Sequence, residues 1–148
     1  MHAIDIIKKF EGLRLKAYKC SANVWTIGYG NTSYLKHFNN PKNIKITEKK
    51  AQELLLNDAK GFYNCIVDEV GNICNSNQIA SLTSLCFNIG INAFHNSTLL
   101  KIIKNNPNNF FEIEKQFMRW IYANGKTIKG LIKRRKLETK IYISSVME

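Results

Sequence analysis

Apolar residues at helical spacing open the chain: Ala3, Ile6, Ile7 and Phe10 line one face, and Gly12 follows in the C-terminal cap position. This predicts a short helix over residues 3 to 11. From Leu13 to Tyr34 the period changes. Leu15, Ala17 and Tyr18 precede a polar patch, Lys19-Cys20-Ser21-Ala22-Asn23. The β-forming run Val24-Trp25-Thr26-Ile27-Gly28-Tyr29-Gly30 comes next. Two or three short antiparallel strands with a turn near residues 20 to 23 are expected. Residues 35 to 46, with Pro41 and clustered Asn, read as loop.

Beyond Thr47 the spacing is helical throughout. Thr47 is placed to cap a helix whose stripe is Ala51, Leu54, Leu55, Ala59, Phe62 and Ile66, ending near Gly71. A second helix is expected over Ser76 to Ile89, burying Ile79, Leu82, Leu85, Cys86 and Ile89. Ser97 caps a third, holding Leu99, Leu100, Ile102 and Ile103. Asn109 with Glu112 three positions on resembles a capping box for a helix carrying Phe110, Ile113, Phe117, Trp120 and Ile121. Residues 127 to 146 complete the set, with Ile128, Leu131, Ile132 and Tyr142 on one side. The expected class is α+β: a small antiparallel sheet in an N-terminal lobe at about 13–46, and a larger helical lobe from 1–12 and 71–148. Residues 47–70 form a long connecting helix. A cleft between lobes is where a site is expected.

At 148 residues, 45% hydrophobic and 22% charged, the chain suits one domain and excludes collagen-like, disordered and coiled-coil classes. No apolar run is long enough to span a bilayer, and Asp5 and Lys8 interrupt the N-terminal apolar stretch too early for a signal peptide. The net charge of +11 points to an anionic partner, although Lys, Asn and Ile make up 55 residues and Lys outnumbers Arg 18 to 4, as AT-rich codons favour. Cys20, Cys65, Cys74 and Cys86 fit no zinc or redox spacing. Cys65 and Cys86 read as reduced core thiols, and a Cys65–Cys74 bridge stays open for an oxidising compartment.

Glu11 is the first candidate for chemistry. It ends the first helix, at the negative pole of its dipole, beside apolar Phe10, Leu13 and Leu15. Both features favour the protonated carboxyl that a general acid needs. A surface ion pair with Arg14 or Lys8 explains the position equally well.

The surrounding residues sharpen this. Phe10-Glu11-Gly12-Leu13-Arg14-Leu15-Lys16-Ala17-Tyr18-Lys19 and Trp25-Thr26-Ile27-Gly28-Tyr29-Gly30-Asn31-Thr32 resemble the phage-type lysozymes, the endolysin family of the T-even and lambdoid phages. The family's signature of Glu, eight residues, Asp or Cys, five residues and Thr falls on Glu11, Cys20 and Thr26. Four later blocks agree in order. They are Ile46-Thr47 with Ala51, Leu55 and Asp58; Phe87-Asn88-Ile89-Gly90 through Ala93-Phe94 and Asn96-Ser97-Thr98-Leu99-Leu100; Trp120; and Gly130-Leu131 with Arg134, Arg135 and Glu138.

The resemblance implies one lysozyme domain over residues 1–148, and hydrolysis of the β-1,4 bond between N-acetylmuramic acid and N-acetylglucosamine in peptidoglycan. It implies Glu11 as acid, Thr26 holding water or a sugar hydroxyl, and Cys20 assisting from the opposite face of the sugar in place of the commoner Asp. Thr32, Phe87 and Ser97 match substrate-lining positions, and Asn31 replaces a His that forms an ion pair in the T-even enzyme. No metal or cofactor is implied. Peptidoglycan is the implied partner, beside an anionic lipid surface, for a monomer that waits in the host cytoplasm until a holin gives it access to the wall in the periplasm. Two rivals remain: an inactive wall-binding relative, and a nucleic-acid-binding protein using the basic residues Lys126 to Lys140.

Overall fold

The structure is a computed structural model that describes residues 2–144. It forms two compact units, residues 8–61 in one and residues up to 7 with those from 62 onward in the other. The elements run α1 (Ala3–Glu11), β1 (Arg14–Lys19), β2 (Trp25–Gly28), α2 (Glu48–Val70), α3 (Ser76–Ile89), α4 (Ile91–His95), α5 (Thr98–Asn105), α6 (Phe110–Phe117), β3 (Tyr122–Ala123), β4 (Lys126–Thr127) and α7 (Lys129–Ile143). The architecture is α+β, as the sequence predicts.

In the 8–61 unit, β1 and β2 pair antiparallel, Tyr18 opposite Thr26 and Lys19 opposite Trp25. The connection Ser21-Ala22-Asn23 closes through a 2.8 Å bond from the Asn23 amide to the Cys20 carbonyl. Asn23 sits at φ 61°, a left-handed position that suits its short polar side chain. The segment expected to be loop is more ordered. Tyr34–His37 and Pro41–Asn43 are 3₁₀ turns, and residues 44–46 run along the free edge of β1. The Ala17 amide donates to Ile44 at 2.9 Å, and the Ile46 amide donates to Leu15 at 2.8 Å. Ala17, Ile27, Leu35 and Leu54 are the buried centre of this unit, with Ile44 and Ile46 packed on them. The Pro41 and Asn signals marked the turns correctly and hid the short paired edge, whose apolar residues are only two.

α2 starts where expected: Thr47 Oγ1 accepts the Lys50 amide at 3.1 Å. Its stripe is inward, with Ala51, Leu54, Leu55, Ala59 and Ile66 buried. α3 is capped reciprocally by Asn75 and Gln78, each backbone amide donating to the other's side chain at 2.9 Å. Unlike an amphipathic surface helix, α3 is buried continuously from Ala80 to Cys86, because α7 covers the face that would otherwise meet water.

Three local expectations change in the last third of the chain. Asn109 does precede α6, but its side chain makes no cap and the box with Glu112 is absent; at ψ 67° the backbone leaves the extended region that aims a capping oxygen at the first amides. α6 also stops at Phe117, so Trp120 and Ile121 lie beyond it. A tight hairpin, β3–β4, follows. Asn124 at φ 52° and Gly125 at φ 78° supply the two left-handed residues that such a turn needs, and the Asn-Gly pair was the overlooked signal. α7 therefore begins at Lys129 rather than 127. Ile128 is exposed rather than inward, and positions 145 and 146 of the expected helix lie outside the described residues.

The centre of this unit is polar as well as apolar. Ile66, Val70, Leu82, Leu85, Phe94, Leu99, Ile103, Ile113, Phe117 and Tyr142 form the hydrophobic cluster. Beside it Glu138 and Arg135 are both 0% exposed. Glu138 accepts from Arg134 Nε at 3.2 Å, from Ser84 Oγ at 2.6 Å and from Arg135 Nη1. Arg135 also reaches the Asn88 side chain, and its Nε donates to the Trp120 carbonyl at 2.9 Å. Burial pushes the Arg135 pKa below its ordinary value, and the Glu138 carboxylate opposes that shift. Arg134 and Arg135 are thus interior residues, which removes them from the surface that a nucleic-acid reading of α7 requires. Removing one member of such a pair leaves a buried charge unmatched. Glu138→Ala is expected to lower unfolding free energy by about 3–5 kcal/mol, measured by urea denaturation followed by circular dichroism.

Candidate active site

Glu11 is the last residue of α1 and is half-buried. A β-carbon added at Gly30 would stand 3.4 Å from Glu11 Oε2, so the Gly30 backbone lies directly against the carboxyl. Gly30 has φ +84°, where a side chain is strained as well as crowding. The turn that presents it is clamped: Ile27 and Asn31 exchange two backbone hydrogen bonds of 2.9 Å. The buried Asn31 side chain donates to Asp58 Oδ2 of α2 at 2.8 Å and accepts the Tyr34 amide at 2.9 Å. The ion pair expected to be missing at Asn31 is replaced by a hydrogen bond to a carboxylate. Lys8 stands over the Tyr29 ring of the same turn at 5.7 Å.

Thr26 lies one residue before Ile27 on β2 and is 3% exposed. Its Oγ1 donates to the Val24 carbonyl at 2.9 Å. Cys20 lies at the other side of the hairpin turn, half-buried and reduced. The backbone groups of Val24 and Ala22, and then the Thr26 side chain, favour the Cys20 thiolate and hold its thiol pKa below the ordinary value. Thr26 carries one hydroxyl proton, which serves either the Val24 carbonyl or the Cys20 sulfur. The hairpin thus joins Cys20 to Thr26, while the clamped turn seats the backbone at Gly30 against Glu11. Thr32, half-buried, follows Asn31 directly.

The other three thiols differ. Burial raises Cys65 and Cys74, and it pushes Cys86 up to about 12. All three are free thiols, Cys86 buried and Cys65 and Cys74 half-buried, and Cys65 and Cys74 are not bridged. Among the described residues no group of three His, Cys, Asp or Glu could hold a metal ion.

Residues 8–138 match the family described as phage lysozyme. The chain belongs to the phage lysozyme family. It is 40% identical over 144 residues to an endolysin of Acyrthosiphon pisum secondary endosymbiont phage 1, covering 95% of this chain and 94% of that one. Among solved structures, it is similar to the muramidase domain of SpmX from Asticaccaulis excentricus. That match has TM-score 0.83 and 30% identity, over 97% of this chain and 95% of that one. A P22 lysozyme variant gives TM-score 0.78 and 34% identity over 97% and 99%.

Phe87 and Ser97, the remaining candidates of the phage lysozyme pattern, stand in the other unit. Phe87 packs against Phe62 with ring centroids 5.2 Å apart. Ser97 is buried and caps α5, accepting the Leu100 amide at 3.1 Å and donating to the Phe94 carbonyl at 2.6 Å. It also borders an open hollow of about 470 Å³ lined by Asn96, Gln116, Arg119 and Trp120 among others. The residues that sequence reasoning passed over are Gly30, Asn31 as an anchor, and the backbone groups of Ala22 and Val24. The Gly-Tyr-Gly-Asn run signalled a turn but not which side chain it would face.

Three outcomes are expected. Limited alkylation with iodoacetamide at neutral pH labels Cys20 ahead of Cys65, Cys74 and Cys86, read by peptide mass. In Thr26→Val the pH midpoint of Cys20 labelling moves upward. Gly30→Ala costs about 1 kcal/mol of stability from its left-handed backbone and lowers activity beyond that loss by crowding Glu11.

Proposed function

We propose that this chain cleaves the β-1,4 bond between N-acetylmuramic acid and N-acetylglucosamine with Glu11 as general acid, Thr26 as the water-holding group and Cys20 as a thiolate in the place of the usual Asp. Membership of the phage lysozyme family makes the chain a glycoside hydrolase, an endolysin-type muramidase acting on peptidoglycan. The observation that carries the residue assignment is the setting of the Cys20 sulfur. The backbone groups of Val24 and Ala22 lower the thiol pKa from within one hairpin, as a site for an anion requires, while the Thr26 hydroxyl donates to the Val24 carbonyl.

Bond cleavage builds positive charge on the anomeric carbon and negative charge on the departing oxygen. Glu11 gives its proton to that oxygen. The Cys20 thiolate supplies the negative charge that the oxocarbenium-like transition state needs. A water accepted by Thr26 delivers hydroxide to the anomeric carbon, and its proton leaves to the thiolate or to solvent. Thr32, Phe87 and Ser97 line the saccharide. The protein works as a monomer, held in the host cytoplasm until a holin opens the way to the wall, with anionic lipid as a secondary contact. No helix among the described residues is long and apolar enough to cross a membrane.

Reducing sugar released from purified sacculi, and clearing of chloroform-treated Gram-negative cells, test the assignment. Glu11→Gln is expected to lower the rate by about 10²–10⁴-fold with unchanged thermal stability. Cys20→Ser lowers it, and Cys20→Asp restores much of the loss. An unchanged rate in Cys20→Ser removes that thiol from the mechanism.

A further inference from the structure

The charge of this protein is unevenly spread. Residues 8–61 hold eleven Lys and Arg against four carboxylates, a net +7 of the +11 total in little over a third of the chain. Within that unit Lys16 and Lys45 stand directly opposite each other across the sheet. The flanking bonds, Ala17 amide to Ile44 and Ile46 amide to Leu15, make this a non-hydrogen-bonded antiparallel pair. In that geometry side chains approach closest, with β-carbons roughly 4.5–5.5 Å apart. Their direction is fixed by their neighbours. Ala17, Ile44 and Ile46 belong to the apolar interior, so alternation turns Lys16 and Lys45 outward, and both are exposed. Arg14 lies two positions before Lys16 and is pinned over the Tyr18 ring at 4.2 Å. Among the described residues none of these three cations has a carboxylate within ion-pair distance.

Like charges placed opposite each other destabilise a sheet, and here no internal carboxylate relieves them. An external polyanion would. β1, which carries Arg14 and Lys16, ends at Lys19, and Cys20 follows directly, four residues and about 13 Å beyond Lys16. A chain polymer engaged at the catalytic hairpin therefore passes within reach. We propose that Arg14, Lys16 and Lys45 form an accessory docking surface for the stem-peptide carboxylates of peptidoglycan, holding the wall beside the hairpin. This rests on the function proposed above and names a contact outside its catalytic groups. Leu15, between Arg14 and Lys16, is exposed, but it alternates with Lys16 to the face that carries Ala17. The Lys16–Lys45 pair thus presents a polar face, and carboxylates of the wall are favoured over a bilayer. Dispersed charge of this kind draws a solvated polymer by steering.

The test is co-sedimentation with purified sacculi in a Glu11→Gln background, comparing the parent with Lys16→Gln/Lys45→Gln and the charge-keeping Lys16→Arg/Lys45→Arg. Neutralisation is expected to weaken binding about ten-fold at low salt, to flatten the salt dependence and to leave the melting temperature equal or higher, since a repulsion is removed. The Arg pair should bind as the parent does. On sacculi whose carboxyls have been amidated, parent and neutralised protein should bind alike. Equal binding of the two on native sacculi, or the same ten-fold loss on amidated ones, overturns the proposal. So does a loss confined to phosphatidylglycerol vesicles, which would assign the surface to lipid. If the wild-type chain releases no reducing sugar from sacculi, the catalytic reading fails; if it does and neutralisation changes nothing, the docking surface alone fails.

Discussion

Glu138 imposes the strongest constraint on the larger unit. A carboxylate with no exposure is tolerable inside a protein only when its charge and lone pairs are fully met. Meeting them here takes Arg134 and Arg135 from its own helix and Ser84 from α3. The same guanidinium groups then hold the Trp120 carbonyl, the Asn88 side chain and the Ser84 carbonyl, which seats the segment after α6 and locks α7 along α3. α3 is buried on nearly every side as a result, and two of the four arginines are spent in the interior.

That expenditure changes what the basic composition means. The arginines of α7 face inward, whereas Lys129, Lys133, Lys136 and Lys140 recur at helical spacing and are exposed. A second set of exposed cations stands in the small unit, on the strand that leads into the hairpin at Cys20. The same strand serves packing and chemistry: Ala17 faces the interior, Lys16 faces outward, and Cys20 closes the turn.

The small unit organises its site through backbone geometry more than through side-chain contacts. Asn31 anchors one turn to Asp58 and Tyr34, and Asn23 in a left-handed conformation shapes the other. Between them these turns place Gly30 against Glu11 and bring backbone groups of Ala22 and Val24 to bear on the Cys20 thiol. The consequence is selective. One thiol is stabilised as an anion by fixed dipoles, while the three in the other unit are pushed toward the neutral form by burial. Four cysteines with no distinguishing spacing thus acquire opposite chemistries.

Sequence alone determined a great deal. Apolar periodicity located α1, α2, α3 and α5 nearly to the residue, since those helices bury a face against a core and their caps are local. The spaced Glu11, Cys20 and Thr26 with their flanking blocks pointed to the family. Where a signal was local but short, as at Asn124-Gly125 or residues 44–46, it was hidden by the stronger helical or loop composition around it. Tertiary structure decided the rest: that Asn109 makes no cap, that Arg134 and Arg135 lie inside, that Lys16 meets Lys45, and that the Ala22 and Val24 backbone groups bear on Cys20. Each depends on which residues distant in sequence come to share a space. Periodicity reports which face of an element is apolar, but the fate of a charge or a thiol is set by the dipoles and dielectric that other elements bring to it.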